Sequence, residues 1–196
     1  MQLGATASFN HCTSIVDWGV TRDGLGQLRR RWPVDNPEAA ILIVHGINEH
    51  SGRYEHVGTR LAEAGFEVTA PDLRGFGGTG GKRAYVERFT DFLDDLAPCA
   101  QRPDSATGPF IMYGHSLGGL IVLAYALSDR PDPDLLILSA PLLGAAVPAW
   151  KRALARVLGR IAPGAGVPND ITGDQLSRDP AVGEAYFADP LVARRT

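Results

Sequence analysis

Five residues near the middle of the chain, Gly114-His115-Ser116-Leu117-Gly118, have the types and spacing that nucleophilic acyl transfer requires. A serine hydroxyl attacks a carbonyl only if it stands clear of the backbone around it, and a sharp turn from strand to helix lifts it there. Such a turn brings the backbone before and after it into near contact. Gly114 and Gly118 meet that demand, because a side chain at either place would collide across the turn. The helix that follows offers its first amides to an anion, so the N–H of Leu117 is suited to hold the oxyanion of a tetrahedral intermediate. The bland alternative is a glycine-rich turn with a small residue at its tip. The flanks argue against it. Residues 110–113 are an apolar run of strand length, and Leu120, Leu123, Ala124 and Leu127 recur at helical spacing.

An oxyanion hole needs a second donor, normally from a loop after a neighbouring strand. Residues 39–44 are continuously apolar, which predicts a central parallel strand buried on both faces. That strand runs into His45-Gly46-Ile47-Asn48-Glu49-His50, where the Ile47 amide is the candidate second donor. His45, Gly46 and His115 are then expected to line the substrate site. An activated serine also needs a base, usually histidine, oriented by a carboxylate. The histidines are His11, His45, His50, His56 and His115, and none follows Ser116. His45 and His50 remain as upstream candidates, while the bland reading of His115 is packing in the turn.

The elements that must position these residues follow from patterning. Strands are expected at 15–20 and 28–32, joined at Asp23-Gly24 as a hairpin, then at 39–44, 66–70, 110–113 and 135–139. Helices are expected over 54–64, 88–97 and from 117 onward. The second is expected to bury Phe89, Phe92, Leu93 and Leu96 and to expose Asp91, Asp94 and Asp95. The alternation implies an α/β fold, a mostly parallel sheet flanked by helices. The glycine-rich stretch 72–81 lacks the features of a phosphate loop. From Pro141 the pattern changes to short helices without strands. Thr172 with Gln175 reads as a capping box, and Asp179-Pro180 as a helix start. We expect residues 1–143 to form the core and 144–196 a helical cap over the carboxyl ends of the strands. Within the cap, Trp150 and Leu154 begin an apolar helical face suited to a substrate pocket. Basic residues beside that face would also suit peripheral contact with an anionic lipid surface.

The whole chain sets bounds. It has 196 residues, 44% hydrophobic, and a net charge of −3, enough for one globular core and no reason to invoke nucleic acid. Two distant cysteines, Cys12 and Cys99, suit a reducing cytoplasmic compartment. No signal peptide or spanning stretch is evident. Neither a metal nor an organic cofactor is implied, since serine acyl transfer needs none.

Four blocks make the chain resemble the α/β-hydrolase superfamily, and more narrowly its monoacylglycerol lipase and lysophospholipase branch, grouped with the serine aminopeptidase-type hydrolases. They are His45-Gly46 with Glu49-His50-Ser51-Gly52-Arg53-Tyr54, then Asp72-Leu73-Arg74-Gly75-Phe76-Gly77-Gly78-Thr79-Gly80, then Gly114-His115-Ser116-Leu117-Gly118-Gly119, and last Leu176-Ser177-Arg178-Asp179 with Asp189-Pro190-Leu191-Val192. Thr79 departs mildly from the family's usual serine. The resemblance implies a nucleophile at Ser116, oxyanion amides at Ile47 and Leu117, and a helical cap shaping an acyl pocket. Its substrate class would be acyl esters of glycerol or lysophospholipids. It also implies further strands after the cap, bearing the acid and the histidine, so the chain resembles the first two-thirds of such an enzyme. Three accounts stay open: a serine ester hydrolase that is slow as this chain alone, a non-catalytic acyl-ligand binder, and a chain whose acid and histidine come from a second polypeptide.

Overall fold

Residues 13–102, 108–144 and 172–193 are described by the computed structural model of the chain. Among them, β1 (Ile15–Val20), β2 (Gly26–Trp32), β3 (Ala39–Val44), β4 (Phe66–Pro71), β5 (Phe110–His115) and β6 (Leu135–Ser139) form one sheet. Their order across it is β1-β2-β4-β3-β5-β6. β1 and β2 are an antiparallel hairpin, β2 is antiparallel to β4, and β4, β3, β5 and β6 run parallel. The helices are α1 (Glu55–Glu63), α2 (Phe89–Leu96), α3 (Leu117–Ala126), α4 (Gly173–Leu176) and α5 (Pro180–Ala188). The expected α/β fold is what forms.

The unbroken apolar run of β3 is explained by its two faces. Successive side chains of a strand point to opposite sides. Ala40, Leu42 and Val44 join a core with Phe92 and Leu96 of α2 and Ile121 and Tyr125 of α3. Ala39, Ile41 and Ile43 join a second core with Trp32, Tyr54 and Ala62. All six residues are buried. The hairpin turn closes as the Asp23-Gly24 pair predicts: Gly24 has φ +84°, and the Thr21 amide donates to Leu25 O at 2.9 Å.

One expectation is corrected, and one choice the spacing left open is settled. In α2, Phe89 is 38% exposed, while Asp91 and Asp95 are 7% and 0% exposed. Apolar periodicity turned that face outward because it ignores what Arg74 does. Its guanidinium grips Asp95 through Nε at 2.5 Å and through a second nitrogen at 2.6 Å, and approaches Asp91 at 3.9 Å. A carboxylate satisfied in that forked manner enters the interior. In α3, the buried residues are Gly118, Gly119, Ile121, Val122 and Tyr125, whereas Leu127 is 80% exposed. This helix is apolar all round, so its spacing cannot choose a face. The choice falls to the glycines, which let it approach the strand ends.

The two capping signals near the end of the chain form as expected. Thr172 and Gln175 make a reciprocal capping box, and the Asp179 carboxylate accepts from the Ala181 amide at 3.0 Å. Trp150 and Leu154 lie outside the described residues. Among the described residues no helix is long and apolar enough to cross a membrane.

Candidate active site

Ser116 stands between β5 and α3 with φ +50° and ψ −113°, a conformation that non-glycine residues rarely adopt. Holding it costs on the order of 1–3 kcal/mol. Backbone bonds hold it there. The Ser116 amide donates to Ser139 O at 2.9 Å, and its carbonyl accepts from Leu120 at 3.1 Å and Leu142 at 2.9 Å. The turn is as tight as the motif demands. A Cβ on Gly114 would lie 2.4 Å from Gly118 O, and one on Gly118 would lie 2.1 Å from Val44 O. Among the described residues Ser116 Oγ has no hydrogen-bond partner.

The loop after β3 closes against this turn. A Cβ on Gly46 would sit 2.8 Å from Glu49 Oε1 and 3.3 Å from both Ser116 Cβ and His115 Cδ2, so a side chain there would press on the serine turn. His45 is 1% exposed and accepts the Leu73 amide on Nε2 at 2.9 Å. Its proton is then on Nδ1, which donates to Gly46 O at 2.7 Å. Burial holds its ionisation below the ordinary histidine value, against the pull of the Asp72 and Glu49 carboxylates. Both ring nitrogens serve the protein itself, so His45 ties two loops together and offers neither nitrogen to a ligand. His115 is half-buried and its Nδ1 lies 3.0 Å from Ser139 Oγ.

The loop after β4 is knotted to the same corner by Asp72, 1% exposed. One oxygen accepts the Ser51 amide and the other the Gly78 amide, each at 2.7 Å. Thr79 Oγ1 accepts from Leu28 N at 3.0 Å and donates to Asp72 O at 2.9 Å. Both bonds use only the hydroxyl, so threonine serves where serine was expected.

A contact that sequence reasoning missed joins the loop after β3 to the residues following α5. His50 Nε2 lies 2.8 Å from Asp189 Oδ2. His50 Nδ1 accepts the Gly52 amide at 3.2 Å, so Nε2 is the donor. Burial pushes the Asp189 carboxyl up, but hydrogen bonds from His50 and the Leu191 amide outweigh it, and its pKa lies below the usual value. Arg53 stacks 4.8 Å over the Tyr186 ring of α5, and Arg83 donates to Leu191 O at 3.0 Å. His50 and Asp189 are 139 positions apart, a separation that leaves no local pattern to find.

The arrangement is a strained serine at a helix N-terminus, faced by a glycine loop, with its neighbouring histidines bonded elsewhere. Comparison with known proteins gives it context. Residues 35–196 match the family described as serine aminopeptidase, S33. Monoacylglycerol lipase of Mycolicibacterium smegmatis is 40% identical over 164 residues, 82% of this chain and 58% of that protein. Phospholipase YtpA of Bacillus subtilis is 30% identical over 167 residues, 84% of this chain and 64% of that protein. The crystal structure of Paleococcus ferrophilus monoacylglycerol lipase superposes with TM-score 0.73 at 34% identity, covering 87% of this chain and 65% of that one. The chain therefore spans less than two-thirds of the length of these relatives.

Proposed function

This chain belongs to the serine aminopeptidase S33 family of α/β-hydrolases, and on that premise we propose that it carries the nucleophile and oxyanion half of a serine ester hydrolase. The substrate class is a monoacylglycerol, with lysophospholipids the nearest alternative; the relatives are named monoacylglycerol lipase and phospholipase. Residues 144–196 act as the cap over the acyl chain.

Ser116 Oγ attacks the acyl carbonyl, and its proton passes to a general base. Negative charge develops on the carbonyl oxygen and is met by the amides of Ile47 and Leu117. Collapse expels the glycerol oxygen, which takes up the proton, and leaves an acyl group on Ser116. Water then attacks the acyl-serine with the same assistance and frees the fatty acid. His45 and His50 use both ring nitrogens elsewhere, and His115 is tied to Ser139. We assign the base to a residue other than these three histidines, with a carboxylate to orient it. The observation that carries the reading is the positive φ of Ser116 at the head of α3, with Gly46 packed against it.

A fluorophosphonate probe tests it. Missing triad members typically cost on the order of 10⁴–10⁶ in rate, so labelling should be slow but confined to Ser116 and lost in Ser116→Ala. A monoacylglycerol should slow labelling more than a lysophospholipid does. A folded chain that never labels would instead be a binder of acyl ligands without chemistry.

A further inference from the structure

The proposed chemistry leaves Glu49 unused, yet three groups converge on its carboxylate. Oε1 accepts the Gly46 amide at 2.5 Å and the Tyr54 hydroxyl at 2.8 Å, and Oε2 faces Arg53 Nε at 3.5 Å. The side chain is only 14% exposed. Burial, reinforced by this carboxylate, pushes the Tyr54 phenol far above its ordinary ionisation, so it remains a neutral donor.

What these bonds control is the direction of one peptide plane. Gly46 has no side chain, and its φ and ψ are intrinsically free. Its N–H is fixed by Glu49 and its C=O by His45 Nδ1, at 2.5 Å and 2.7 Å. The peptide between Gly46 and Ile47 is planar and trans, so the Ile47 N–H must point opposite to the Gly46 carbonyl. Anchoring Gly46 at both ends therefore aims the Ile47 amide.

We propose that Glu49 is a positioning residue of the oxyanion loop: its carboxylate locks Gly46 so that the Ile47 N–H is held ready for the oxyanion. Arg53, seated on the Tyr186 ring, steadies the second carboxylate oxygen and so links α5 to the same corner. The inference rests on the assignment of Ser116 and Ile47 made above, and its test separates the two.

The test uses the full chain and the backbone amide resonance of Gly46. A short bond to a carboxylate should place that resonance far downfield with slow hydrogen exchange. In Glu49→Gln it should move upfield and exchange about tenfold faster, the ratio expected when a charge-assisted bond becomes a neutral one. Fluorophosphonate labelling of Ser116 should slow while far-ultraviolet circular dichroism stays unchanged. Tyr54→Phe removes the competing donor on Oε1, so the Gly46 resonance should move further downfield. That variant decides the matter if Glu49→Gln does not fold. Gly46 resonances unmoved in both variants overturn the proposal, as does slowed labelling with an unmoved resonance in Glu49→Gln. If the parent chain does not label at all, the reading of Ser116 falls, and the Gly46 resonance still decides whether Glu49 sets the loop.

Discussion

β5 has a parallel neighbour on each side, and the two are apolar to a similar degree in sequence. β3 reads Ala-Ala-Ile-Leu-Ile-Val and β6 reads Leu-Leu-Ile-Leu-Ser. Their fates differ. Every residue of β3 is buried, because strands pair with it on both sides and helices cover both its faces. Among the described residues β6 pairs only with β5, and Leu135, Ile137 and Leu138 are 51%, 42% and 37% exposed. Burial is thus decided by what lies beside a strand. An apolar strand with one side unpaired offers free backbone groups and a greasy surface to whatever comes next.

Truncation of one large side chain in each strand breaks the comparison most directly. Leu42 is 0% exposed, so Leu42→Ala should destabilise the fold by about 3 kcal/mol in urea denaturation, within the usual range for a core leucine. Leu135→Ala should cost less than about 1 kcal/mol, because half of that side chain already meets solvent. Equal costs would mean that β6 is covered in solution.

A charge on the open strand sharpens the comparison from the other side. The parent chain is expected to self-associate as its concentration rises, through the β6 edge. Ile137→Lys should shift the sedimentation profile toward monomer while leaving stability within about 0.5 kcal/mol of the parent. Unchanged association would place the contact elsewhere. The stripe of Val16, Trp18 and Val20 on β1, 48%, 63% and 64% exposed, would then be the next surface to charge.

The same contrast separates what the sequence disclosed from what it withheld. β3 was legible to its boundaries because a continuous apolar run of six residues has one economical use, a strand covered on both faces. The turn around Ser116 was legible because Gly114 and Gly118 serve a steric need within five residues. The buried face of α3 was hidden, since a helix apolar on all sides has no preferred direction until a neighbour is present. The burial of Asp95 was hidden because it depends on Arg74, on a different loop. The His50–Asp189 pair was hidden for the same reason at greater range. Local patterns fixed the elements and the glycine-flanked turn at Ser116. The ties that hold the loops around that turn are long-range polar pairs, which leave no period to read.

The smallest expected effect concerns how β6 is anchored at its first residues. The Asp134 amide donates to Phe110 O at 2.8 Å, and its carboxylate accepts the Phe110 amide at 2.6 Å and an Arg102 nitrogen at 2.5 Å. The Phe110 amide, and after it Arg102, hold the Asp134 carboxyl below the usual carboxylate range. A carboxyl whose folded pKa is depressed adds stability only where it is ionised. Its contribution is complete above the unfolded value near 3.8 and disappears as pH falls through the lower folded value. Between pH 7 and about pH 5 the anchor should therefore be constant, well above ordinary carboxylate titration. Below about pH 4 the start of β6 should loosen, seen as faster hydrogen exchange at the Phe110 amide before the β3 amides respond. Asp134→Asn keeps an oxygen for the Phe110 amide but removes the charge, so exchange there should become slightly faster at neutral pH and lose this acid step. A variant that keeps the step would assign the acid sensitivity to another carboxylate. An anchor that weakens in step with β3 would mean that the two strands open as one unit, however differently they are covered.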